Sequence, residues 1–525
     1  MKKLGQYFTP KHVADFMVGL TQTSKSGIVL EPSCGEGVFL ESLKESGFTK
    51  VTGYEVDKTL KSKTSLKIIR ESFLKNNDVG PVDMIIGNPP YIRWKNLDKI
   101  LQEELRNLPL WNEYFTSLSD YLCIFILKSI SLLRPGGELI FITPEYWLNT
   151  KGAESLRGYM SENGYFTDII HFSETPIFSR VSSSIIIFRY VKYKRDQKTA
   201  DNIKVIKYTS NKTLTFDDLE DIKTRKKRDY IHYFSVKPFT KNRIWTIADV
   251  ETLAKLDTYE QQCSTIEDNI LPGLYSKHVT IGDIADIANG MVSGLDKAFQ
   301  VPPKMQLSKI ESKACLDVLK AKNISKYTHG ETQRYMFLGE GEVTHAELLK
   351  KYPNFEKILS PHITTLNKRY RYGRDIKYWE WVFPRSLKLF QSPKNKIFVP
   401  CKERISHKEY FRFTLVEKGV FPTQDVTAIV LKDNTRESIY YVTAILNSSY
   451  VFEWLKYRGV VKGNIVEFSE KPISSIPFRK INWSNPTEVI LHDKITKLCK
   501  DKIIRKDTTP SNEIDMAIKK LLSEA

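Results

Sequence analysis

Six short apolar runs occur in the first 190 residues, and amphipathic stretches separate most of them, which leaves few ways for this part of the chain to fold. The runs are Gly27–Glu31, Lys50–Glu55, Val82–Gly87, Gly137–Thr143, Thr167–Phe172 and Ser183–Tyr190. Strands joined by helices run parallel and are covered on both faces, so the pattern predicts an α/β domain with a mostly parallel sheet. Pro10 opens a helix signal continued by Val13, Phe16, Met17 and Leu20 at helical spacing. Asp120 stands where it can cap a helix carrying Leu122, Phe125, Ile126, Ile130 and Leu133, and Pro135-Gly136-Gly137 ends it. No helix separates the last two runs, which predicts an antiparallel hairpin at the sheet edge.

The ends of these strands carry the chemistry. After the first comes Glu31-Pro-Ser-Cys-Gly35-Glu-Gly37. Glycines two apart between strand and helix allow a tight turn and a close approach of backbone to ligand. A dinucleotide fingerprint needs a third glycine at position 40, where Leu40 stands, so a pyrophosphate cofactor is disfavoured. The second strand ends at Glu55-Val-Asp57, where a carboxylate can accept hydrogen bonds from both ribose hydroxyls. A Gly-x-Gly alone is an ordinary tight turn; with the acidic strand end it points to a nucleoside. The third strand runs into Gly87-Asn88-Pro89-Pro90-Tyr91. Two consecutive prolines fix φ twice and remove two donors, so the loop is stiff. Its carbonyls can only accept hydrogen bonds, which suits a planar amide or amino group with an aromatic ring over its face. The alternative is a rigid turn with a partly buried tyrosine.

Charge divides the chain. The net charge is +18, yet residues 1–200 carry 26 Lys+Arg against 22 Asp+Glu, and residues 201–525 carry 54 against 40. A basic second part points to a polyanion such as nucleic acid, the alternative being an inert basic surface. The longest apolar stretch, Tyr121 to Leu133, is too short to span a membrane and holds Lys128. The charged start lacks the apolar core of a signal peptide. Six cysteines without CxxC spacing or a His cluster predict neither metal nor disulfides and fit a reducing cytoplasm.

Taken in order, Gly5-Gln-Tyr-Phe-Thr-Pro10, Glu31-Pro-Ser-Cys-Gly-Glu-Gly37, Glu55-Val-Asp57 and Asn88-Pro-Pro-Tyr91 resemble the motifs of gamma-class (TaqI-type) adenine-N6 DNA methyltransferases of type II restriction–modification systems. The resemblance covers about residues 1–190 at motif level and the rest as architecture. It implies a Rossmann-like domain that binds S-adenosyl-L-methionine, and a flipped adenine in double-stranded DNA as substrate. Thr9, Glu31, Cys34, Gly35 and Gly37 then match the surroundings of the methionine moiety, Glu55 the ribose-binding acid, and Phe73 the aromatic on the cofactor adenine. The family often has Asp before that aromatic, where this chain has Ser72. Asn88, Pro89, Pro90 and Tyr91 match the catalytic loop. Phe178, in Pro176-Ile-Phe-Ser-Arg180, matches the phenylalanine that closes on the target base, the alternative being a core residue. By the same resemblance no metal or catalytic nucleophile is required.

The basic half fits a target-recognition domain. Lys368–Phe413 holds 13 Lys+Arg against 4 Asp+Glu with eleven interleaved aromatics, and Lys368, Arg369, Arg371 and Arg374 are its candidate DNA contacts. The expected organisation is a catalytic domain over 1–244, of which 191–244 is a basic extension and connector. A mixed α+β target-recognition domain over 245–485 and a C-terminal helical segment over 486–525 follow. A helix is expected over Trp245–Ile266, and irregular strands from about Lys277. One recognition domain per catalytic domain suits a monomer, and a cognate endonuclease would be a separate chain. Two other readings remain at this point. Enzymes that methylate glutamine in protein-release factors share the Gly-Asn-Pro-Pro-Tyr loop, but carry their extra helices before it. A non-catalytic DNA-binding subunit is the other, against which the intact loop argues.

Overall fold

The computed structural model describes residues 7–75, 80–178, 184–194, 201–241, 244–264, 279–339, 341–405, 408–462, 464–508 and 511–523. Gly5, Gln6, Ser179, Arg180, Ser183, Arg195, Ile266 and Lys277 lie outside them. The chain forms two compact units, residues 1–253 with 461–464 and residues 254–460 with 465–525.

In chain order the first unit holds α1 (Lys11–Val18), β1 (Ile28–Glu31), α2 (Val38–Glu45), β2 (Lys50–Tyr54), β3 (Lys67–Ile69), β4 (Val82–Gly87), α3 (Lys99–Arg106), α4 (Pro109–Tyr114) and α5 (Tyr121–Leu132). It continues with β5 (Leu133–Pro144), α6 (Glu154–Asn163), β6 (Gly164–His171), β7 (Ile185–Lys192), β8 (Ile203–Tyr208), α7 (Phe216–Lys223) and β9 (Ile231–Val236). The strands form one sheet in the order β3-β2-β1-β4-β5-β7-β6-β8-β9. From β3 to β5 every pairing is parallel. Neighbouring residues on a strand point to opposite faces. Val29, Met84, Ile86, Ile140 and Ile142 therefore join one core with α1, α2 and α7. Leu30, Ile85, Leu139 and Phe141 join a second core with α5 and α6. Strands buried on both faces read as unbroken apolar runs, which is why β4 and β5 stand out in the sequence.

Three features differ from the expectation. The β6–β7 pair is antiparallel, as the missing helix predicts, but it does not end the sheet: β7 lies between β5 and β6, β8 adds to β6 and β9 to β8. The stretch expected as an extension and connector supplies the last two strands at one edge, and Lys204 and Lys207 disguise β8 by interrupting its apolar residues. Strand β3 has three residues, none of them buried, too few for a periodic signal. Asp120 occupies the cap position of α5, but its side chain bonds Tyr146 rather than the helix.

The second unit is mixed α and β. Ala285–Asn289, Val426–Leu431, Lys396–Pro400 and Thr414–Val416 form one antiparallel sheet in that order. Gln333–Met336, Cys315–Leu319 and Val420–Pro422 form a second, mixed sheet, antiparallel in its first pairing and parallel in its second. Phe299, Tyr335, Trp381, Phe390 and Phe398 are buried between them. Helix Val250–Gln262 falls within the stretch expected to be helical, and Pro486–Ile504 packs on Asn512–Ser523. Among the described residues no helix is long and apolar enough to cross a membrane.

Candidate active site

The parallel half of the sheet delivers its strand ends to one cavity of about 610 Å³. Thr9, Glu31, Cys34, Gly35, Gly37, Glu55, Phe73, Asn88, Pro89 and Pro90 all line it. Between β1 and α2 the chain turns through Gly35 at φ 56° and Gly37 at φ 96°. A Cβ on Gly37 would stand 2.6 Å from Thr64 Cγ2, so only glycine fits there without displacing its neighbour. Leu40, at the place of the missing third glycine, is fully buried. It packs on Gly53, where an added Cβ would come 2.8 Å from it.

Two carboxylates organise this end. Glu55 accepts the Gly35 N–H at 2.8 Å with one oxygen and the Asp57 N–H at 2.8 Å with the other, so it ties the glycine turn to the end of β2. Glu31 is 1% exposed, and its Oε2 has no partner among the described residues. Burial, and next the charge of Glu55, push its carboxyl well above the ordinary range. A buried carboxylate oxygen left unpaired at a cavity wall fits a cationic ligand there. The Cys34 thiol is pushed up chiefly by burial, which makes it packing rather than a nucleophile.

Phe73 forms an aromatic wall, edge-on to Tyr54 with ring centroids 5.9 Å apart and tilted against Phe125 at 5.7 Å. Lys128 is notable in the sequence only as the charge inside its longest apolar stretch. Its Nζ lies 5.2 Å from the Phe73 ring centroid and donates to the Leu74 carbonyl at 2.7 Å. Burial draws that ammonium down to about 8. Glu71 and Ser72 also line the cavity, so a carboxylate stands one residue before the position where the family often has Asp.

At the end of β4 the Asn88 side chain is held on both sides. Its Nδ2 donates to the Tyr7 carbonyl at 2.9 Å and to Thr9 Oγ1 at 3.2 Å. The Tyr91 hydroxyl donates to its Oδ1. The Asn88 main-chain carbonyl accepts from Ser33 Oγ at 3.1 Å. Tyr91 and Phe178 are not in the lining of this cavity; Tyr7 is, and its ring meets both. Phe178 is buried, with Ile177, in the core that contains α1. Sequence reasoning singles out neither Tyr7 nor Ser33, although both lie inside motifs that carry the family resemblance.

In the second unit the basic cluster proves uneven. Lys368 is exposed, Arg371 donates to the Asn367 carbonyl at 3.0 Å, and Arg374 to the Val382 carbonyl at 2.9 Å. Tyr370 and Tyr372 stand out at 75% and 52% exposure, with ring centroids 4.6 Å apart. Arg369 is half-buried: its guanidinium donates to the carbonyls of Ser293, Lys377, Tyr378 and Glu380 and lies over the Phe299 ring, so most of its donors are already used within the unit. Sequence counts the charge but not the carbonyls that surround it.

A model of the Eco57I restriction–modification methylase family matches residues 37–178, and an N-6 DNA methylase model matches residues 1–61. The type II methyltransferase M.HindII of Haemophilus influenzae is 42% identical over 520 residues, covering 99% of this chain and 97% of that one. M.HincII of the same species is 40% identical over 518 residues, with the same coverage. In fold the chain is similar to the type IIL restriction–modification enzyme MmeI in complex with DNA. The TM-score is 0.60 and the identity 11%, over 98% of this chain and 71% of that one. The nucleoside-type turn, the Asn-Pro-Pro-Tyr loop and the end-to-end likeness converge: the chain belongs to the type II DNA methyltransferases of restriction–modification systems and transfers a methyl group from S-adenosylmethionine to N6 of adenine at specific sites in DNA.

Proposed function

We propose that Asn88 and Pro89 activate an adenine turned out of the duplex, with Tyr91 and Phe178 as its aromatic walls. The observation that carries this is the Asn88 amide, whose nitrogen is anchored by Tyr7 and Thr9 so that its oxygen faces Tyr91. A base inside a duplex is out of reach of these groups, so it must flip. Asn88 Oδ1, with a second lone pair beside the one Tyr91 uses, and the Pro89 carbonyl would accept the two N6 protons. Those bonds draw the nitrogen towards sp³ and free its lone pair for attack, while Pro90 keeps the loop from yielding. The work is orientation and electrostatics. S-adenosylmethionine supplies a methyl group already activated on a sulfonium. Glu55 would hold its ribose, Phe73 its adenine, and Thr9, Glu31, Cys34, Gly35 and Gly37 its methionine end.

In the second unit Lys368, Arg371 and Arg374 would neutralise phosphates, with the exposed Tyr370 and Tyr372 beside them. A monomer acting in the cytoplasm, with a separately encoded endonuclease for the same site, completes the reading. Glutamine methylation in a protein is not favoured, because the relatives alike along the whole chain are type II methyltransferases.

Asn88→Ala tests the central role. Loss of one aligned polar partner of a reacting group costs about 100- to 1,000-fold in turnover in comparable sites. The variant should lose methyl transfer on that scale while still binding DNA and cofactor. A near wild-type rate would overturn the assignment.

A further inference from the structure

We propose that Tyr7 is a further working residue of the target-base pocket: its main-chain carbonyl sets the Asn88 amide, and its ring keeps the base's place until DNA arrives. The proposal rests on reading Tyr91 and Phe178 as the pocket's walls. The Tyr7 ring stacks on Tyr91 with centroids 5.4 Å apart and planes 13° from parallel. It also meets Phe178 at 6.1 Å and 41°. A near-parallel ring on Tyr91 covers a face that a stacked purine needs, so ring and base compete for it. Tyr7 is 41% exposed, and Phe8 beside it 48%, so the ring has a way out towards solvent.

The second role uses different atoms. A carbonyl oxygen only accepts, so the Tyr7 carbonyl at 2.9 Å obliges Asn88 to face it with Nδ2, and Oδ1 is thereby turned towards Tyr91. Tyr7→Ala removes the ring and keeps the carbonyl, which separates the two roles.

The test uses the full chain with S-adenosylmethionine and a duplex carrying 2-aminopurine at the adenine the enzyme modifies. Its emission rises when the base leaves the stack. Without the competing ring, Tyr7→Ala should raise emission and bind this duplex about 2- to 10-fold more tightly, the range expected for one aromatic pair. The gain should appear in KM for DNA rather than in kcat, a split that a merely structural role would not produce. Tyr7→Phe restores a ring and should bring emission and affinity back towards wild type. Titration with S-adenosylmethionine checks that each variant keeps its cofactor pocket. Unchanged emission and affinity in Tyr7→Ala, or a fall in both, would overturn the proposal. Phe178→Ala, measured alongside, tests the walls separately: wild-type emission and turnover there would sink that reading and leave the Tyr7 result to stand or fall by itself.

Discussion

Replacing Glu31 by Gln should make the free enzyme more stable and the cofactor complex weaker. The carboxyl is 1% exposed, one oxygen has no partner among the described residues, and Glu55 adds a like charge. Its folded value therefore lies above the ordinary 4.5. A raised carboxyl contributes stability that is fully present below the unfolded value and lost as pH rises towards the folded one. Each pH unit in that window removes about 1.4 kcal/mol from the wild type and nothing from the Gln variant. For a unit of roughly 250 residues that is about 3–6 °C in melting midpoint per pH unit. Melting curves of both proteins, without cofactor, should coincide near pH 4 and separate above it, with Glu31→Gln the higher. Saturating S-adenosylmethionine should narrow that gap, because a hydrogen bond to a charged group contributes about 1.5–3 kcal/mol, or roughly 10- to 100-fold in affinity. A variant less stable than wild type at pH 7.5 without cofactor, or a gap that ignores pH, would show that the Glu31 charge is already compensated and refute the reasoning.

Neutralising Lys368, Arg371 and Arg374 together should flatten the salt dependence of DNA binding, by about 0.9 in log–log slope for each phosphate that is no longer neutralised. Arg369→Ala should instead lower the melting midpoint, because four carbonyls lose their donor, so calorimetry and salt titration separate the two classes. Lys128 has its ammonium drawn from 10.5 down to about 8, so the unfolded chain binds the proton more tightly. Wild-type stability should therefore rise with pH between those values, and Lys128→Met should lack that rise in pH-dependent melting. Gly37→Ala places a Cβ 2.6 Å from Thr64 at φ 96° and should cost about 1–3 kcal/mol in strain, with weaker cofactor binding by calorimetry.

Legibility in the sequence depends on whether the signal is local. Strands β1, β2 and β4 are apolar runs that end in residues with a chemical purpose, and the stiff Asn-Pro-Pro-Tyr loop is legible by itself. Gly35 and Gly37 do have the positive φ that their spacing suggests. Long-range partners are not legible. The Tyr7 ring finds Tyr91 and Phe178 far along the chain, and nothing in Gly-Gln-Tyr-Phe-Thr-Pro announces that stack. Lys128 reads as an interruption of a helix, yet it lies behind Phe73 at 5.2 Å. Arg369 reads as a phosphate contact, because a sequence records a guanidinium and not its surroundings. Strand β8 reads as a connector because its lysines weigh more in a composition window than Ile203, Val205 and Tyr208 do.

The most direct measurement is base-resolved sequencing of DNA from cells that express the wild-type chain or Asn88→Ala. The account predicts N6-methyladenine at one adenine of a single recurrent sequence in the first culture and its loss in the second. Methylation of cytosine, adenine methylation without a common sequence, or an undiminished pattern with Asn88→Ala would contradict it.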